Sequence, residues 1–121
     1  MVRGIGVDIT LNSRHGHLGA NTLRHILSPA ELEELAGLSD AARIEFIASR
    51  FAAKEALGKA LGTGFRGLSP SLVSVVHDEA GRPSFGFDPS LVHLFDGMRV
   101  HLSISHEKDH SVAMVVLDGE E

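Results

Sequence analysis

Cysteine is absent from the chain. That excludes disulfides, thiolate catalysis and zinc–thiolate sites. An excess of positive charge is absent too: the net charge is −5. Duplex nucleic-acid binders carry a basic face, so no nucleic-acid partner is expected, although net charge leaves room for a local basic pocket. No apolar run approaches the roughly 20 residues a spanning helix needs. No basic-then-apolar leader precedes the first strand. A soluble, cytoplasmic protein with no membrane partner is therefore expected. Internal repeats and low-complexity stretches are also lacking. What remains is a 121-residue chain that is 43% hydrophobic. This is enough for a real core in one domain, residues 1–121. A monomer of this size buries a modest fraction of its surface, so oligomerisation would add useful burial.

The first pattern is an alternation. In "VRGIGVDIT", Ile5, Val7 and Ile9 share one face, and Gly4, Gly6 and Asp8 share the other, which predicts a short strand. Two glycines beside an aspartate leave that face bare, so a backbone or a ligand can approach closely. "LNSRHGHLGAN" is polar and interrupted by glycine and reads as a loop or a weak helical turn. "SPAELEEL" is a strong helix start: Ser28 as N-cap, Pro29 at N1 and Glu31 at N3, a capping box. Gly37 ends that helix, and Asp40 is placed to cap the next, which runs to about Leu61 before Gly62. "SLVSVVHD" and the residues after Gly81 form a hairpin around Ala80-Gly81. Asp88, Pro89 and Gly97 bound a short helix. "MRVHLSISH" and "SVAMVVL" are the last two strands. The class is α+β, a mostly antiparallel sheet packed on the long helix.

That long helix carries the chemistry. On a wheel of 100° steps, Phe46, Ala53, Leu57, Ala60 and Leu61 form the apolar face expected to pack on the sheet. Glu55 lies opposite, where an ordinary helix faces water. However, Ile44, Ile47 and Phe51 lie on its side, and Gly58 and Gly62 flank it. An interior glycine costs about 1 kcal/mol against alanine, so something should offset it. Lys59 follows Glu55 at i+4. As a surface pair this is worth about 0.3–0.5 kcal/mol. In a cleft it is a metal-capable carboxylate beside a phosphate-capable ammonium. The helix is expected to be covered on two sides, by its own sheet and by a cleft or a second subunit.

Asp8 ends the first strand on its glycine face. Read alone, it is a cap or a turn residue. Converging with Glu55, it could hold Mg²⁺, with substrate phosphates completing the octahedron. His106 is a polar strand-end residue, and none of the eight histidines has the spacing of a strong metal motif. "GTGF" follows a helix C-terminus, where the dipole disfavours anions. It also lacks the Walker ending, so a nucleotide triphosphatase is not expected.

Three stretches occur in a specific order: "GIGVDI", "RFAAKEALGKALGTGF" and "HLSISHEKDHSVAMVV". With "ILSPAELEEL" and "AGRPSF" between them, the chain resembles the holo-acyl-carrier-protein synthases, the small bacterial 4′-phosphopantetheinyl transferases, over nearly its whole length. The resemblance implies the 4′-phosphopantetheinyl transferase fold. It implies Mg²⁺-dependent transfer of the phosphopantetheine arm of coenzyme A to a serine of apo-acyl carrier protein. Adenosine 3′,5′-bisphosphate is released, in support of fatty acid biosynthesis. It further implies a homotrimer with active sites between subunits. Asp8 and Glu55 match the family's metal ligands, and Lys59 the lysine that lies against the coenzyme A phosphates. Together these three are the expected catalytic set. Arg50 and His106 match positions near the bound nucleotide, with the 3′-phosphate as the contact. Gly81, Arg82 and Pro83 match a segment beside the adenine.

The chain departs from the family after "GIGVDIT". Leu11 stands where a glutamate is usual, and the segment from Arg14 to Ile26 is short and histidine-rich. Only Arg14 and Arg24 remain basic there at neutral pH, for docking an acidic carrier; Arg14 matches a carrier-contact position. His15, His17 and His25 read as loop residues. Two other readings stand beside the transferase. One is a nucleotide-binding module that keeps the fold without transfer. The other is a structural trimer in which Glu55 and Lys59 are an interface ion pair.

Overall fold

The computed structural model describes residues 1–120. Five strands and three α-helices follow the chain as β1 (Val2–Leu11), α1 (Ala20–Ile26), α2 (Pro29–Ala36), α3 (Asp40–Leu61), β2 (Val73–His77), β3 (Pro83–Phe87), β4 (Met98–Glu107) and β5 (His110–Gly119). Short 3₁₀ helices occupy Asn12–His15, Pro70–Leu72 and Pro89–Phe95. The strands form a three-stranded sheet in the order β1–β5–β4 and a separate β2–β3 hairpin, all antiparallel. The α+β class read from the sequence is the observed one.

The sheet packs on α3 because β1 has a bare face. A Cβ on Gly4 would lie 2.0 Å from the Ala60 carbonyl oxygen, and one on Gly6 would lie 1.9 Å from that of Ala56. The approach foreseen at these glycines is that of the chain's own helix. Pressed together there, Ala52, Ala53, Ala56, Leu57 and Ala60 bury against Ala113, Val115 and Leu117 of β5, with Leu68, Val73 and Val75 beside them. Register places Ile5, Val7 and Ile9 opposite Val116, Met114 and Val112 on the other face of the sheet. That face is open: Ile5, Val7, Ile9 and Met114 are 59%, 55%, 67% and 46% exposed.

α3 has 22 residues, roughly 33 Å at 1.5 Å per residue. Its N-terminal half outruns the close contact with β1 and needs another cover. Phe46, expected against the sheet, instead joins Ile47, Leu23, Leu27 and Leu35 in a second core beneath α1 and α2. Ile47, read on the Glu55 side, is buried by the same helices. At its start the cap is Ser39, whose Oγ accepts from the Ala42 N–H at 3.3 Å, and Asp40 is the first helical residue. At its end, Gly58 leaves room for the returning chain. Thr63 and Gly64 both donate to the Gly58 carbonyl, and a Cβ there would lie 2.7 Å from the Gly64 carbonyl oxygen.

The capping box at Ser28–Glu31 forms, but Glu31 does more than cap. It is fully buried, as is Lys54 of α3, and the two form an ion pair at 2.5 Å. Lys54 Nζ also donates to the Ile26 and Pro70 carbonyls at 2.8 and 3.1 Å. Glu31 accepts from the Ser28 and Val75 N–H groups at 2.9 and 2.8 Å. Burial pulls the Lys54 ammonium below its usual range, and Glu31 counters this.

The stretch read as a loop or a weak helical turn holds the 3₁₀ turn Asn12–His15 and is largely exposed, with Asn12 and His15 turned inward. His15 is 7% exposed. Burial and then neighbouring Arg14 lower its pKa from the ordinary 6.5, against a smaller opposing pull from Asp8. A helix, α1, then begins at Ala20, one the sequence pattern did not indicate.

Lys54→Met should cost about 3–5 kcal/mol in urea unfolding, because Glu31 is left charged and buried. Adding Glu31→Leu should not recover the loss, since the Ser28 and Val75 N–H groups then lose their acceptor. His15 gives a pH signature. Its folded pKa is depressed, so its stability contribution is complete above the ordinary 6.5 and is lost as pH falls through and below that value. The urea midpoint should therefore fall more between about pH 7 and about pH 5 in the wild type than in His15→Phe.

Candidate active site

The close approach of β1 and α3 sets the first half of the site. Beyond Gly6, the next residue on the inner face of β1 is Asp8, and its carboxylate reaches the side chains of the helix. Asp8 Oδ1 lies 3.2 Å from Lys59 Nζ, which also donates to the Val7 carbonyl at 3.0 Å. Lys59 remains half-exposed while Asp8 is largely covered. Glu55, one helical turn before Lys59, is half-buried. Its carboxyl is pushed above the usual glutamate range by burial first and by the Asp8 charge second, with Lys59 pulling the other way. Three charges from two elements thus share one local field. Among the described residues, no group of three or more His, Cys, Asp or Glu could hold a metal ion.

A second cluster lies along the N-terminal half of α3. A cleft of about 350 Å³ is lined by Glu45, Ser49 and Arg50 of the helix, Gly81 and Pro83 of the hairpin, and His106 of β4. The Arg50 guanidinium carbon lies 3.9 Å from the centre of the Phe46 ring, and Nη1 donates to Ser49 Oγ at 3.1 Å. Its Nε is buried with no partner among the described residues. Burial lowers its pKa, which Glu31, Glu34 and Glu45 oppose. A cation held on an aromatic face with an unspent N–H is suited to an anion. His106 Nε2 lies 3.2 Å from Glu45 Oε1, and both are about half-exposed.

The structure therefore gathers the sequence candidates into two groups. Asp8, Glu55 and Lys59 meet at the β1–α3 contact, and Arg50, Gly81, Pro83 and His106 share the cleft. Arg82 is not on the cleft: it is 80% exposed and pairs with Asp78 at 3.4 Å. Lys59 belongs to the carboxylate group and does not line the cleft. Arg14 and Arg24 are both exposed, on the first 3₁₀ helix and on α1. Sequence reasoning missed Glu45, whose partner is 61 positions away, and the buried role of Lys54. The signal for Lys54 was available: it is a lysine enclosed by Ala52, Ala53 and Ala56.

The likeness to known proteins covers the whole chain. The sequence pattern of the 4′-phosphopantetheinyl transferase superfamily matches residues 4–115. The chain is 42% identical to a holo-[acyl-carrier-protein] synthase of Laribacter hongkongensis, over 98% of this chain and all of that one. It is 43% identical to one of Geobacillus kaustophilus, over 98% and 90%. Among solved structures, a holo-[acyl-carrier-protein] synthase from Neisseria meningitidis superposes with a TM-score of 0.90 at 38% identity, over 98% of this chain and 99% of that one. The enzyme from Bacillus anthracis, solved in complex with CoA (3′,5′-ADP), gives 0.87 at 37% identity, over 99% of each. With the ordered motifs and the fold in agreement, the chain belongs to the holo-acyl-carrier-protein synthases of the 4′-phosphopantetheinyl transferase superfamily.

Proposed function

We propose that this protein transfers the 4′-phosphopantetheine arm of coenzyme A to a serine of an apo-acyl carrier protein, with Mg²⁺, and releases adenosine 3′,5′-bisphosphate. The observation that carries the reading is the convergence of Asp8, Glu55 and Lys59 at one end of α3, with the Arg50–His106 cleft toward the other. This arrangement has the polarity that coenzyme A requires. The pyrophosphate would lie by the carboxylates and Lys59, and the 3′-phosphate by Arg50 and His106. Gly81 and Pro83 would wall the adenine, with Arg82 at the rim.

Asp8 and Glu55 fit a hard divalent cation. They are oxygen donors, they repel each other, and they leave positions open for water and phosphate oxygens. When bound there, Mg²⁺ would supply charge neutralisation at the pyrophosphate and polarise phosphorus. The remaining work falls to side chains. Lys59 neutralises charge on the leaving phosphate, and its bond to the Val7 carbonyl holds it against β1 beside Asp8. Glu55, the half-buried carboxylate one helical turn before Lys59, is the candidate acceptor for the serine proton.

The open apolar face of the sheet supports assembly as a homotrimer: four large apolar side chains there are about half or more exposed. The exposed Arg14 and Arg24 support docking of an acidic carrier on the segment before α2. Among the described residues no helix is long and apolar enough to cross a membrane. A cytoplasmic role in fatty acid and lipid metabolism is part of the proposal.

Incubation with coenzyme A, Mg²⁺ and apo-carrier protein from the same source should add the mass of one phosphopantetheine arm to the carrier, read by mass spectrometry. No gain with several carriers would refute transfer. Glu55→Gln should lower turnover by about 10²–10³-fold or more with an unchanged circular dichroism spectrum; near-normal turnover would remove Glu55 from the mechanism. Val7→Glu, on the open face, should give monomers in analytical ultracentrifugation where the wild type gives trimers.

A further inference from the structure

Two side chains of the segment after β1 turn inward, Asn12 and His15. Asn12 is 7% exposed and pins the start of the 3₁₀ helix to the β4–β5 turn. Its N–H donates to the Asp109 carbonyl at 2.7 Å, and its Oδ1 accepts from Ser111 Oγ at 2.7 Å. So anchored, the turn delivers the His15 ring into a buried place between two elements. On one side His15 Nε2 shares a hydrogen bond with Thr10 Oγ1 at 3.0 Å. On the other its ring lies against Phe51, with centroids 5.1 Å apart.

Those two contacts are set by the periodicities of strand and helix. Thr10 is two residues beyond Asp8, so both sit on the inner face of β1. Phe51 is four residues before Glu55, so both sit on one side of α3. A single imidazole therefore touches the neighbour of each carboxylate. Beside the close approaches of Gly4 to Ala60 and Gly6 to Ala56 and the pairing of Lys59 with Asp8, this ring is a further link between the end of β1 and α3.

We propose that His15 is a positioning residue: it ties the end of β1 to α3 and so sets the separation of the Asp8 and Glu55 carboxylates. This rests on the functional reading above, in which the pair holds a divalent cation. A small hard cation tolerates little change in donor geometry. Groups that orient metal ligands from behind typically contribute 10–100-fold in affinity. A histidine that merely fills space would contribute stability and nothing to the cation.

The test is Mn²⁺ affinity of the whole protein by electron paramagnetic resonance titration. Coenzyme A affinity in EDTA and the urea midpoint are measured alongside. His15→Phe keeps a ring against Phe51 and drops the polar contact. Thr10→Val drops the same contact from the other side. Each should weaken Mn²⁺ by about tenfold while coenzyme A affinity in EDTA is unchanged. The double variant should be no weaker than either single one, and Thr10→Ser should bind as the wild type does. Mn²⁺ affinity within about twofold of the wild type in both single variants, whatever their stability, would overturn the proposal. A wild type that binds no Mn²⁺ would overturn the metal reading of the site with it, an outcome distinct from wild-type binding that the variants share.

Discussion

The buried contact of Lys54 with Glu31 is the constraint on which the upper half of the molecule depends. Both side chains are fully out of water, where an unpaired charge costs several kcal/mol. The charge is retained because every polar atom there is used. Lys54 reaches the Ile26 and Pro70 carbonyls as well as Glu31, and Glu31 reaches the Ser28 and Val75 N–H groups. One network therefore joins α1, α2, α3, the turn before β2, and β2 itself. A hydrophobic plug of the same volume could fill the space. It could not accept from two N–H groups and donate to two carbonyls at once, so it would not fix five segments relative to one another. Lys54 immediately precedes Glu55, so the network also fixes the helix that carries Glu55 and Lys59.

The lower half depends on a different device, the absence of side chains. Gly4 and Gly6 let the backbones of β1 and α3 touch, and the alternation of the strand then turns Asp8 toward the helix at the point where Glu55 and Lys59 emerge. Asp8 reaches Lys59 at 3.2 Å because nothing between the strand and the helix keeps them apart. The same device also leaves the β1 side of the sheet's outer face apolar and open, since the strand spends its small residues inward and its Ile5, Val7 and Ile9 outward.

Much of this was legible beforehand. The alternation of β1, the capping box at Ser28, the hairpin at Gly81 and the span of α3 follow from local rules, because each is set by residues within a few positions of one another. The candidate residues were legible through the ordered motifs. Other features were not. Ser39 takes the cap from Asp40, a competition between adjacent residues that propensity does not resolve. Phe46 leaves the sheet for a second core because the helix is longer than the surface beneath β1, which a helical wheel cannot express. Arg82 is turned outward by its own turn partner, Asp78.

The sequence by itself determined the class of fold, the residues able to do chemistry and the family to which they belong, since these reside in composition, periodicity and the order of short motifs. Tertiary structure alone decided which residues meet. It took Glu31 from a helix cap to the partner of a buried lysine 23 positions away. It placed Glu45 against His106. It drew His15 from an apparent loop into the seam between Thr10 and Phe51. Each of these is a contact between groups distant in the chain. Its existence depends on the shape of everything packed around it, and no local pattern records that.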